Sequence, residues 1–232
     1  ILAAGTVIFG LGKIVDVIGK IGPAIVVLTV FLGLSAIFGN PGGLSSGNAA
    51  VSDLNILKAS SNWFYAASSY VGFCMLWLAG FMASMGAARE SKKETVMGTF
   101  LGALGFSLAL AIIALGILAN IEEVAGLMVP SLILAGNISP VLALIFSFIV
   151  VAGIYTTAVP LLWQVIARFA EEKTTKFRTL TIVLAAVGVF IGLKVPFDRL
   201  VNIIYVINGY VGILLLAFMV VKTLRNRLGK EA

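Results

Sequence analysis

Histidine is absent from the sequence, and cysteine occurs once, as Cys74. The first absence excludes histidine-based catalytic triads and histidine metal sites. The second excludes an internal disulfide and a thiolate cluster. Charge is scarce too: 11% of residues are charged and 60% are hydrophobic, where a soluble domain carries about 25% charged residues. So little charge cannot cover a water-facing surface, and lipid is the expected solvent for most of the chain. No carboxylate falls in the centre of an apolar segment, so a proton relay on buried Asp or Glu is not visible. No acid–base–nucleophile set is present, and an enzyme is not expected. No signal or transit peptide stands out, because apolar runs recur along the whole length.

What is present is a series of long apolar segments. A spanning helix needs about 20 mostly apolar residues. Seven candidates are expected: Ile1 to Ile18, cut short at its start; Ile21 to Phe38, with Pro23 in its first turn; Trp63 to Ala88; Thr95 to Asn120; Pro140 to Phe169; Leu180 to Leu193; and Arg199 to Val221. They are too long and continuous for strands of a membrane barrel. The chain begins with Ile1 inside an apolar run, so an N-terminal portion is expected to be missing. Residues 1–38 thus read as two transmembrane helices, 39–62 as a polar Gly/Ser/Asn-rich external loop, 63–221 as five more helices and 222–232 as a basic cytoplasmic tail. The stretch 121–139 is broken by Gly126, Pro130 and Gly136. It reads as one or two short helices at the surface.

The net charge of +6 points to membrane orientation and not to nucleic acid. All but three of the 16 basic residues lie near alternate segment ends. They are Lys13 and Lys20; Arg89, Lys92 and Lys93; Arg168, Lys173, Lys176 and Arg178; and Lys222, Arg225, Arg227 and Lys230. Only Lys58, Lys194 and Arg199 lie on the other side. By the positive-inside rule the first group is cytoplasmic, and so is the C-terminus. Asp16 is placed to pair with Lys13 or Lys20, and Asp198 and Arg199 are expected at the outer interface.

Polar residues inside apolar segments are the candidate functional groups. In "GIYTTAVPLLWQ", residues 153–164, Gly153, Thr156/Thr157, Pro160 and Gln164 fall along one helical stripe. Pro160 has no N–H, so the Thr156 carbonyl loses its usual partner. That carbonyl and the Thr156 and Thr157 hydroxyls are hard neutral oxygens of the kind Na⁺ accepts. The competing reading is a kinked packing helix whose threonines bond back to its own carbonyls. In "ASSYVGFCMLWLAG", residues 67–80, Ser68, Ser69, Tyr70, Gly72 and Cys74 are small or polar. Either Gly72 unwinds the helix and exposes backbone groups, or the small residues pack against another helix. Gly98, Gly102 and Gly105 read as a packing face. Asn208 and Tyr210 line a cavity or pack. Only Trp63, of the three tryptophans, lies clearly at a segment end.

"FGLGKIVDVIGKIGPAIVVL" (9–28), "SSYVGFCMLWLAG" (68–80) and "GIYTTAVPLLWQVIARF" (153–169) resemble the YkvI-like bacterial membrane proteins. That family distantly resembles the amino acid–polyamine–organocation transporter superfamily, whose LeuT-type fold has ten core helices in two inverted five-helix repeats. The resemblance implies that this chain supplies helices four to ten, with three further helices before them. It implies a bacterial inner-membrane location and a broken sixth helix holding the substrate site, at Ser69, Tyr70, Gly72 and Cys74. It implies an eighth helix whose paired hydroxyls, Thr156 and Thr157, bind a coupling Na⁺, and an outer gate in 121–139. Cys74 stands where relatives often carry asparagine. The expected function is secondary transport of a small polar solute, an amino acid among the candidates, by alternating access. A nutrient-binding receptor and a structural or channel subunit are the alternatives. No other cofactor is implied, and the lipid bilayer and the solute are the only partners expected.

Overall fold

The computed structural model describes residues 2–54, 56, 60–88, 91–195 and 197–228. Among these the chain is all-helical: α1 (Leu2–Ile8), α2 (Leu11–Gly39), α3 (Gly43–Ala50), α4 (Trp63–Ala87), α5 (Lys92–Ala119), α6 (Ile121–Val124), α7 (Pro130–Ile138), α8 (Pro140–Ile166), α9 (Thr175–Lys194) and α10 (Phe197–Leu228). Six of them, α2, α4, α5, α8, α9 and α10, are long and apolar enough to cross a membrane. Of the charges behind the orientation argument, Lys58, Arg89 and Lys230 lie outside the described residues. So do the side chains of Lys13, Arg199 and Arg227, and that of Asp198.

The first two expected spans are not two spans. α1 ends at Ile8, and Gly10 turns the chain at φ 89°, a backbone conformation natural to glycine. From Leu11 one helix of 29 residues runs to Gly39, with Pro23 in its interior and not in a first turn. The stretch Ile18–Pro23 holds no Ser, Asn or Asp to cap new helix ends. A turn there inside apolar surroundings would strand the last carbonyls of one helix and the first N–H groups of the next. Continuing the helix through Pro23 gives up a single hydrogen bond. Asp16 accepts a 3.1 Å hydrogen bond from Lys20 one turn on, an exposed pair.

The other spans lie within a few residues of their expected bounds, and α9 is longer, starting at Thr175 behind a Thr174 cap. Two connections carry more structure than a loop. Residues 39–62 contain α3, and 121–139 contain α6 and α7. The described part of the tail is helical, since α10 continues to Leu228.

The chain divides into two compact units, residues 1–56 with 89–163, and residues 57–88 with 164–232. In the first unit α2 packs along α5, and the core gathers Leu32, Ala36, Val124, Leu134, Ala135 and Phe146. In the second, α4 packs along α10. Lipid tails are as apolar as leucine, so close packing and hydrogen bonds, and not water exclusion, hold such pairs together.

Candidate functional site

In the first unit Gly33 of α2 meets Gly116 of α5. A Cβ on Gly116 would stand 2.9 Å from the Gly33 carbonyl oxygen and 3.2 Å from the Ala36 Cβ. The two helices run in the same direction and end together, and their end residues are cross-tied. Asn40, the C-cap of α2, donates from Nδ2 to the Ala119 carbonyl at 2.8 Å. Asn120, the C-cap of α5, donates from Nδ2 to Ala36 O at 3.3 Å and Gly116 O at 2.9 Å. Helix ends leave four carbonyls without partners, and each asparagine serves carbonyls of its neighbour's end. α3 lies across the same place, with Gly43 against Ala119 O and Gly47 against Leu118 O so closely that a Cβ at either would overlap. Beside this knot is a polar cavity of about 150 Å³ lined by Asn40, Ser46, Asn120, Glu122 and Glu123 among others. Glu123 accepts a 2.7 Å hydrogen bond from Asn137.

The sequence reading missed Asn40 and Asn120. The signal was present: each is an asparagine directly after a long apolar run, a common way to end a helix. It also placed packing on Gly98, Gly102 and Gly105. The structure leaves open space around all three within the described residues. The glycine of α5 that packs is Gly116, because the close approach to α2 falls near the helix C-terminus.

Thr156 and Thr157 lie in α8, which stays helical through Pro160. Both hydroxyls donate to one acceptor, the Gly153 carbonyl, each at 3.0 Å. This is the back-bonding geometry that a packing helix would also show. It leaves the lone pairs of both hydroxyl oxygens free to face a cation. With the Thr156 carbonyl, released by Pro160, three neutral oxygens stand within two residues. Among the described residues no three of His, Cys, Asp and Glu gather as metal ligands. Tyr155 points elsewhere and hydrogen-bonds Thr6 of α1. Gln164, the last member of the stripe, donates to the Trp77 carbonyl within the second unit, beside Gly80.

In that second unit α4 does not unwind at Gly72; it is helical from Trp63 to Ala87. The missing Cβ of Gly72 is spent on proximity. Gly72 meets Gly209 and Ile213 of α10, Gly212 meets the Gly72 carbonyl, and Gly209 meets Ser69. Ser69-x-x-Gly72 thus faces Gly209-x-x-Gly212, and a Cβ at any of the three glycines would overlap its neighbour. Ser69 is buried in this contact, Tyr70 is exposed on the flank, and Cys74 is a free, partly buried thiol one turn beyond Tyr70. Phe73 stacks on Tyr205 of α10 with ring centroids 4.1 Å apart and also packs on Trp77. A mostly apolar cavity of about 80 Å³ lies beside the stack, lined by Ala66, Ser69, Tyr70, Phe73, Tyr205 and Val206. Of the four candidates, Ser69 and Tyr70 line this cavity, whereas Gly72 is committed to the helix contact. Asn208 is partly buried and Tyr210 exposed. Trp63 is exposed at the α4 start, and Trp163 is buried.

The substrate candidates and the ion candidates belong to different compact units. Searches against family models, curated proteins and solved structures find no match to this chain.

Proposed function

We propose that this chain works in secondary transport of a small polar solute, an amino acid being the first candidate, coupled to Na⁺ by alternating access. The observation that carries the reading is the oxygen cluster of α8. Two hydroxyls turned to the Gly153 carbonyl and, one turn further along the helix, a carbonyl freed by Pro160 put neutral acceptors into an apolar helix. Two further features support it. The 121–139 connection forms two short helices, as an outer gate would, and the motifs at 9–28, 68–80 and 153–169 resemble the YkvI-like family and, distantly, the ten-helix inverted-repeat fold. The basic residues at alternate helix ends favour a C-terminus in the cytoplasm, and the family resemblance implies a bacterial inner membrane. In this reading Thr156 and Thr157 hold the ion, and Ser69, Tyr70 and Cys74 face the solute, with Gly72 setting the helix spacing.

The test is Na⁺-dependent thermal stabilisation of the purified protein. Na⁺ should raise the melting temperature where K⁺ does not. Thr156→Ala with Thr157→Ala should abolish that rise and leave the protein folded. Undiminished stabilisation in the double variant removes the ion site. A second reading, a nutrient-binding receptor without transport, is favoured by the unbroken α4, which exposes no backbone groups at Gly72. Saturable solute binding with no uptake into proteoliposomes decides for that reading.

A further inference from the structure

A hydroxyl inside a membrane helix commonly bonds the carbonyl four residues back. Thr181, fully buried in α9, donates to the Phe177 carbonyl at 2.8 Å. Ser84 of α4 donates to the Gly80 carbonyl at 3.0 Å. Ser69 of the same helix does not. It is 7% exposed, yet its hydroxyl has no hydrogen-bond partner among the described residues. Its Oγ is turned to α10, against Gly209, which brings no side chain to meet it. Every fully enclosed side-chain nitrogen or oxygen among the described residues has a partner. The Ser69 oxygen is therefore not sealed in, and the opening beside it is the cavity of about 80 Å³ that Ser69 lines. That cavity belongs wholly to the α4–α10 pair, and Tyr70 and Tyr205 are exposed on its flank, so a solute can reach it.

Size, charge and the unpaired hydroxyl limit the occupant. A water molecule's share of the liquid is about 30 Å³, so the cavity takes about three non-hydrogen atoms. No charged side chain lines it among the described residues, so a charged group would enter without a counter-ion. A buried hydroxyl left without a partner carries its full desolvation cost, and an occupant with one polar atom removes that cost. An acyl chain would fill the space and leave Ser69 unpaired. A water would bond Ser69 but needs two to four polar partners, and the surface here is mostly apolar. We propose, on the solute-binding reading above, that this cavity receives the side chain of a neutral amino acid of threonine size, with its hydroxyl bonded to Ser69. Ala66, Phe73, Tyr205 and Val206 then set the limit on side-chain size.

The experiment is calorimetric titration of the purified full chain, in sodium chloride, with L-threonine, L-valine, L-phenylalanine and L-lysine. Threonine and valine have the same shape and differ by the hydroxyl. The wild-type protein should bind threonine roughly five-fold tighter than valine. Phenylalanine, too large, and lysine, charged, should bind at least about ten-fold more weakly than threonine. Ser69→Ala should bind threonine and valine alike, and Ala66→Leu, which fills the cavity from α4, should lose both. A thermal melt without solute confirms that each variant is folded, and the comparison of four solutes on the unaltered chain needs no variant. Equal affinity for threonine and valine in the wild type overturns the proposal, as does a threonine preference that survives Ser69→Ala. Tighter binding of phenylalanine or lysine overturns it too and leaves the solute reading standing. Binding of none of the four also overturns it, and the Na⁺-dependent melt then decides the transport reading separately.

Discussion

The α2–α5 pair and the α4–α10 pair solve one problem in two ways. Each brings two helices running in the same direction close enough for backbone to touch backbone, and each uses glycine to do it. In α4–α10 the small residues occupy four facing positions, Ser69, Gly72, Gly209 and Gly212, and an aromatic stack stands beside them. In α2–α5 glycine contact is confined to Gly33 and Gly116, and hydrogen bonds from Asn40 and Asn120 complete the join at the helix ends. The first join depends on shape alone. The second depends on satisfying carbonyls that would otherwise face an apolar medium. The polar join sits at a helix terminus, where free carbonyls exist. The shape-based join sits within both helices, where every backbone group already has a partner.

Substitutions break the comparison in a definite order. Gly212→Leu should be the most damaging, because the added atoms meet the backbone of Gly72, which cannot move aside as a side chain can. A loss of about 3 kcal/mol or more is expected, read as loss of the monodisperse peak in detergent chromatography. Asn120→Ala comes next. It removes the donor to Ala36 O and Gly116 O, for about 1–2 kcal/mol. A thermal-melt cycle with Asn40→Ala should show less than additive loss, since the two asparagines tie the same ends; strict additivity would mean they act separately. Phe73→Leu should cost about 1 kcal/mol by removing the stack on Tyr205. Gly102→Ala should fall within about 0.5 kcal/mol of the parent, because open space surrounds that position. A large loss there would mean that α5 has a partner outside the described chain.

The sequence announced the helices well and their contacts poorly. Apolar length is a one-dimensional property, so α4, α5 and α8 could be bounded to within a few residues. The fusion at 18–23 was not legible, because Gly19, Gly22 and Pro23 signal a turn in water but are tolerated inside a membrane helix. Gly72 carried two readings, unwinding or close packing, because flexibility and close approach leave the same mark in a sequence. Only the partner, Gly209 and Gly212, separates them, and it lies well over a hundred residues away. Thr156 and Thr157 could be placed on a shared stripe with Gly153, yet their convergence on a single carbonyl depends on side-chain rotamers that spacing does not specify.

The solitary Cys74 makes the protein its own reporter. A thiol reacts with a polar maleimide only as the thiolate, and thiolate forms only where water reaches the sulfur. Labelling of this 232-residue chain therefore samples one point on α4, one turn from Tyr70, because Cys74 is its one cysteine. If that flank of α4 borders a hydrated path, labelling proceeds and a bound solute slows it. If it borders acyl chains, the sulfur stays silent to polar reagents and yields only to membrane-soluble ones. One kinetic trace on wild-type protein thus tells an aqueous passage from a lipid-facing wall.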